Sequence, residues 1–141
     1  MFLTSINVLL YMNLINNNKC FVCGKDNPFG LRLDFMLDGK KLKSEVILDD
    51  KFQGFQGIIH GGIIAALLDE MMGNLAFKLG INAVTANINI NLRKPAQPNE
   101  KYFLLGEIVS EEGKKVHAKS ELKDSEGNIV ADASGLLIRI K

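Results

Sequence analysis

The sequence predicts an α+β domain in which an antiparallel sheet wraps one long central helix. Three observations predict it. Period-two alternation recurs on both sides of residues 61–78, that span is an apolar run too long for one strand, and turn signals separate the segments. The size agrees: 141 residues, 47% hydrophobic and 23% charged, make one ordinary domain with one core. The sequence has no internal repeat, and its only low-complexity tract is a short Asn run.

Residues 1–19 form an N-terminal extension. MFLTSINVLLYMNLINNN carries no charged side chain and ends in Asn. A signal peptide starts basic and ends in a small-residue cleavage site, neither of which is present, so the stretch reads as mobile or loosely docked. A start at Met12 would leave the domain, residues 20–141, whole. Leu31, Leu33, Phe35 and Leu37 then alternate with Arg32, Asp34 and Met36, Asp38-Gly39 signals a turn, and Leu42, Ser44, Val46 and Leu48 resume the period. This predicts a hairpin. The helix follows from Gly61 to about Lys78, with Gly80 as its stop. Ile63 to Leu68 are apolar all round, so the helix should be covered on most sides. Ala86, Ile88, Ile90 and Leu92 next alternate with Thr85, Asn87, Asn89, Asn91 and Arg93 until Pro95 and Pro98 end the strand. Three further strands are expected near 101–110, 114–123 and 128–140, the last two joined through Asp124-Ser-Glu-Gly127.

Charge names no partner. Seventeen Lys and Arg against sixteen Asp and Glu give +1, which points to neither nucleic acid nor an anionic membrane. No apolar run approaches the roughly 20 residues of a spanning helix. Two cysteines are too few for a disulfide-stapled secreted fold, and the cytoplasm is the expected location. Cys20 and Cys23 form a lone CxxC. Zinc would need two more ligands, and the only histidines, His60 and His117, lie far along the chain. The expectation is two free thiols in a turn and no metal, with metal or redox pairing as the alternatives.

Chemistry concentrates in residues 52–70. Gly61 and Gly62 fall where the helix begins, so their N–H groups lack intrahelical partners and no side chain blocks approach. With the helix dipole, such a site suits a developing oxyanion; the plainer reading is a His60 cap with glycines that allow tight packing. Asp69 and Glu70 lie mid-helix among Leu67, Leu68, Met71 and Met72, and carboxylates in such surroundings need a partner or a task. They point about 100° apart, so one of them faces any given cleft.

Several segments together resemble a known family. Cys20-Phe-Val-Cys-Gly-Lys-Asp-Asn-Pro-Phe-Gly-Leu31, Phe52-Gln-Gly, His60-Gly-Gly, Asp69-Glu70, Thr85-Ala-Asn and Arg93-Lys-Pro95 are similar to the hotdog-fold acyl-CoA thioesterases of the phenylacetate-degradation (PaaI) type. The resemblance spans about 20–140. It implies that Gly61 N–H polarises a thioester carbonyl with help from His60, and that Asp69 acts as general base or nucleophile; Gly62 is a candidate substrate-binding residue. It further implies that the Thr85 hydroxyl holds the attacking water. Several relatives carry Asn where this chain has Gly54, so Gln53 or Gln56 is expected to supply the missing amide. Another hotdog branch uses a helix glutamate, which keeps Glu70 beside Asp69 as a candidate. Arg93 and Lys94, with Lys101, are the candidate donors to CoA phosphates. The expected substrate is acyl-CoA, with no metal or cofactor, no nucleic acid and no membrane. A hotdog hydratase-dehydratase and a non-catalytic acyl-CoA binding module are the rival functions.

Spacing also bears on assembly. Eight residues of helix separate Gly61 from Asp69 by about 12 Å, beyond the ~3 Å reach of two groups acting on one thioester. One chain therefore cannot supply both, and a homodimer or dimer of dimers with antiparallel helices is expected.

Overall fold

A computed structural model describes residues 14–140. Six strands and one long helix follow one another in the order the alternation predicts. They are β1 (Met36–Asp38), β2 (Lys41–Ile47), α1 (Gly61–Lys78), β3 (Ala83–Leu92), β4 (Lys101–Glu112), β5 (Lys115–Lys123) and β6 (Ile129–Arg139), with a 3-10 turn at Asp50–Phe52. The strands form one antiparallel sheet in the order β1-β2-β4-β5-β6-β3. The inward residues of this sheet include Leu42, Val46, Leu104, Val116, Leu122 and Leu137, all buried against α1.

Small residues let the helix come close. Gly106 stands opposite Ser120 across β4 and β5, and Ala118 stands opposite Gly135 across β5 and β6. A Cβ on Gly106 would lie 2.5 Å from the Met71 carbonyl oxygen, and one on Gly135 would lie 2.9 Å from Met72 Sδ. Met71 and Met72 are accordingly fully buried. The Ser120 hydroxyl donates to the Leu68 carbonyl at 2.8 Å and pins the middle of the helix to the sheet.

Two expectations are revised. The first hairpin strand is short: Arg32 takes a left-handed φ of 54°, and although Leu31, Leu33 and Phe35 still turn inward, pairing with β2 begins only at Met36. Leu31 and Leu33 instead donate to Phe21 and Val22, which ties this stretch to the cysteine loop. The helix is also less enclosed than its composition suggests. Its sheet-facing side is buried, whereas Ala66, Asp69 and Gly73 on one flank are half-buried and Gly62 is exposed. Of the expected extension, residues 1–13 lie outside the described residues. Its last residues touch the domain: Leu14 N–H donates to Asn82 Oδ1 at 3.4 Å and the Asn18 carbonyl accepts from Asp26 at 2.9 Å.

Candidate active site

Helix α1 opens on His60, whose extended backbone makes it the N-cap residue. Its Nδ1 accepts from Gly62 N–H at 2.8 Å. A neutral ring bonded this way carries its proton on Nε2, which leaves Nε2–H free to donate outward. Ile63 and Ile64 donate to the His60 carbonyl. With those three amides used, Gly61 N–H has no hydrogen-bond partner among the described residues. A cleft of about 250 Å³ opens there, walled by Ile64, Leu92, Arg93 and Lys94. A Cβ on Gly61 would meet Leu92 Cδ1 at 3.0 Å, so a side chain at this position would crowd the cleft. The structure thus brings Gly61, Arg93 and Lys94 into one place.

Thr85 reaches the helix through an irregularity in β3. The register against β6 shifts between Thr85 and Asn87, a bulge that moves Thr85 onto the side of the sheet that Ile88 and Ile90 occupy. Strict alternation had set Thr85 on the face opposite those isoleucines. Its hydroxyl donates to Asp69 Oδ1 at 2.8 Å, fixing the rotamer of a half-buried carboxylate.

Glu70 serves a different neighbourhood. It accepts from Cys20 Sγ at 3.3 Å and from Asn74 Nδ2 at 3.4 Å, on the side of α1 covered by residues 14–33. Cys23 sits beside them, and its burial, followed by the Glu70 carboxylate and Cys20, pushes the thiol well above the usual range. The adjacent acids therefore face two different environments, Asp69 toward Thr85 and Glu70 toward the cysteine loop.

The glutamines divide as well. Gln53 Oε1 accepts from Gly57 N–H at 3.1 Å and closes the loop before the helix, while Gln56 is exposed at its tip. Gly54 packs against His60: a Cβ there would stand 3.4 Å from His60 Cα and Cδ2. Arg93 is held by Asp132, which also accepts from Asn91, and the Arg93 guanidinium is the main cause that keeps the Asp132 carboxyl below its usual range. Nothing local in the sequence singles out Asp132, since its contact with Arg93 depends on β6 pairing with β3. A separate cavity of about 690 Å³ is lined by residues 32–36 and parts of β2, β4 and β5, and contains none of these groups.

A family model described as the thioesterase superfamily matches residues 56–131, more than half of the chain. The chain belongs to the thioesterase superfamily. Mouse acyl-coenzyme A thioesterase THEM4 is 30% identical over 89 residues, covering 62% of this chain and 38% of that protein. The chain thus spans well under half the length of that curated relative. A crystal structure of a thioesterase superfamily protein superposes with a TM-score of 0.82 at 22% identity, covering 97% of this chain and 79% of that one. The Escherichia coli PaaI protein of the phenylacetic acid degradation operon superposes with a TM-score of 0.73 at 16% identity, covering 77% and 84%. The wrapped sheet and single long helix are the hotdog fold of these thioesterases, as the motifs implied.

Proposed function

We propose that this thioesterase-superfamily domain hydrolyses acyl-CoA thioesters to a free acid and CoA. The observation that carries the reading is the unpartnered Gly61 N–H, set at a helix N-terminus in a cleft beside Arg93 and Lys94. That N–H and the helix dipole stabilise the oxyanion formed when water attacks the thioester carbonyl, and His60 Nε2–H adds a second donor. The Asp69 carboxylate takes the water's proton and passes it to the departing sulfur, or adds to the carbonyl itself and expels the thiolate, which takes a proton from solvent. The second route leaves an acyl-aspartyl anhydride that a water then hydrolyses to the free acid and the regenerated carboxylate. In both routes a tetrahedral intermediate collapses, the C–S bond breaks, and CoA leaves with its sulfur protonated. Arg93 and Lys94 receive the phosphates of CoA.

Two chains build each site in this account. Along one helix Gly61 and Asp69 are about 12 Å apart, so the Asp69 that meets Gly61 comes from a second copy. Two features support such a copy. Gly62, Ala66, Asp69 and Gly73 follow helical spacing along the open flank of α1, and small residues allow a second helix to approach closely. In addition, β3 ends the sheet as a ten-residue edge strand with Asn87, Asn89 and Asn91 exposed, a template for pairing with another β3. Pairing two such edges sets the helices antiparallel.

Release of free CoA thiol from short, long and aromatic acyl-CoAs tests the activity. Saturable hydrolysis is expected for at least one class. Saturable binding without hydrolysis, or hydration of enoyl-CoA in its place, contradicts the proposal. Thr85→Val removes the donor that orients Asp69. It should lower kcat about ten- to a hundredfold, the equivalent of about 1.5–3 kcal/mol for a hydrogen bond to a charged group. The melting temperature should move by only a few degrees, and a Thr85→Ser variant should recover most of the rate.

A further inference from the structure

We infer that Cys20, Cys23, Glu70 and Asn74 form a binding site for one zinc-class divalent cation, which ties the N-terminal loop to helix α1. One donor atom from each of Cys20, Cys23 and Glu70 lies within 4.8 Å of the other two. A tetrahedral zinc with bonds of about 2.0–2.3 Å has ligand-to-ligand edges of about 3.3–3.8 Å. Three such edges are already present: Cys20 Sγ to Glu70 Oε2 at 3.3 Å, Asn74 Nδ2 to Cys23 Sγ at 3.5 Å, and Asn74 Nδ2 to Glu70 Oε2 at 3.4 Å.

The surroundings are built for this. Val22 and Cys23 N–H groups both point at Cys20 Sγ, each at 3.4 Å, a pattern that stabilises a metal-bound thiolate. The loop that sets both sulfurs on one side requires Gly24, because a Cβ there would lie 2.4 Å from Cys20 N and 2.6 Å from Cys20 O. None of the ion pairs among the described residues includes Glu70, so this half-buried carboxylate has thiols and an amide for company but no cation. Asn74 Oδ1 is buried with no hydrogen-bond partner. Turning that amide about its last bond places Oδ1 at the fourth corner, where Nδ2 now stands, and moves Nδ2 to the side that Oδ1 leaves, so the metal–oxygen bond is what replaces the two contacts Nδ2 gives up. A groove of about 440 Å³, flanked by Ile15, Lys19, Gly73 and Phe77, leads to the four residues from solvent.

Two thiolates, one carboxylate and one amide oxygen suit zinc among the common divalent ions. Binding releases the two thiol protons to solvent and forms two Zn–S bonds, with no redox change. This departs from the sequence expectation of two free thiols. A CxxC shows two ligands at once, whereas Glu70 and Asn74 reach it from fifty residues away.

The test uses the full chain with both cysteines reduced, loaded with Zn2+ and exchanged into metal-free buffer. One zinc per chain is expected by elemental analysis, with a raised melting temperature. Loading with Co2+ should give thiolate-to-cobalt charge-transfer absorption and visible bands of tetrahedral intensity. Cys20→Ser and Glu70→Gln should each weaken zinc binding at least tenfold, while His60→Ala should retain it. The wild-type cobalt spectrum decides even where a variant fails to fold. Absence of the thiolate band, less than a tenth of an equivalent of zinc on folded reduced protein, or equal binding by a folded Cys20→Ser/Cys23→Ser variant overturns the site.

Discussion

Asp69→Asn should remove most hydrolytic activity while leaving the fold in place. The amide keeps the volume, and its oxygen still accepts from Thr85, so the packing that surrounds it changes little. What disappears is the carboxylate that takes a proton from water or attacks the carbonyl. Loss of such a group costs about 10²–10⁴ in rate. Free-CoA release with a good acyl-CoA should therefore show kcat falling by that amount, with KM changed far less and the melting temperature within a few degrees of wild type. Near-normal turnover in folded Asp69→Asn, together with loss in Glu70→Gln, would transfer the role to Glu70.

A large loss of stability is expected when Gly106 gains a side chain. The helix passes so close over β4 that an added methyl at this position would overlap a backbone oxygen, Met71 O at 2.5 Å, rather than the end of a flexible side chain. Either α1 lifts from the sheet or β4 bends away. Lifting also stretches the Ser120 hydroxyl from the Leu68 carbonyl. Gly106→Ala should cost about 3 kcal/mol, at the upper end of overpacking, and lower the melting temperature by ~10 °C. Because α1 carries both Gly61 and Asp69, activity should fall at temperatures well below the melting point. A shift under two degrees would mean that the helix is less closely seated than the geometry states.

Much of this arrangement was legible in local pattern. The helix bounds of 61–78 follow from a continuous apolar run between two glycine signals, and β2, β4, β5 and β6 follow from alternation with one buried face. The short β1 was not legible, because nothing local announces that Arg32 adopts a left-handed backbone or that Leu31 and Leu33 bond to the cysteine loop. The bulge in β3 was hidden for a related reason. Alternation of Ile and Asn continues through residue 92, and only the pairing with β6 shows that Thr85 has been moved to the helix side. In the site, the glycines at the helix start were readable because their chemistry is local. The different surroundings of Asp69 and Glu70 were not, because they depend on which distant residue each one meets: Thr85 on β3 for the first, Cys20 in the N-terminal loop for the second. Asp132 and Asn74 were missed on the same ground, each being ordinary in sequence and defined by a partner on another element.

Mixing two inactive variants tests the shared site most directly. If each site takes His60 and Gly61 from one chain and Asp69 from the other, His60→Ala and Asp69→Asn homodimers are impaired at both sites. In a mixed dimer one site collects both lesions and the other collects neither. The two variants, carrying different tags, are unfolded and refolded together, the mixed species is isolated through both tags, and acyl-CoA hydrolysis is measured. Complete random exchange yields half heterodimers with one intact site each, so the unfractionated mixture should regain roughly a quarter of wild-type activity and the purified heterodimer roughly half. Purified heterodimers no more active than either parent would contradict the two-chain site.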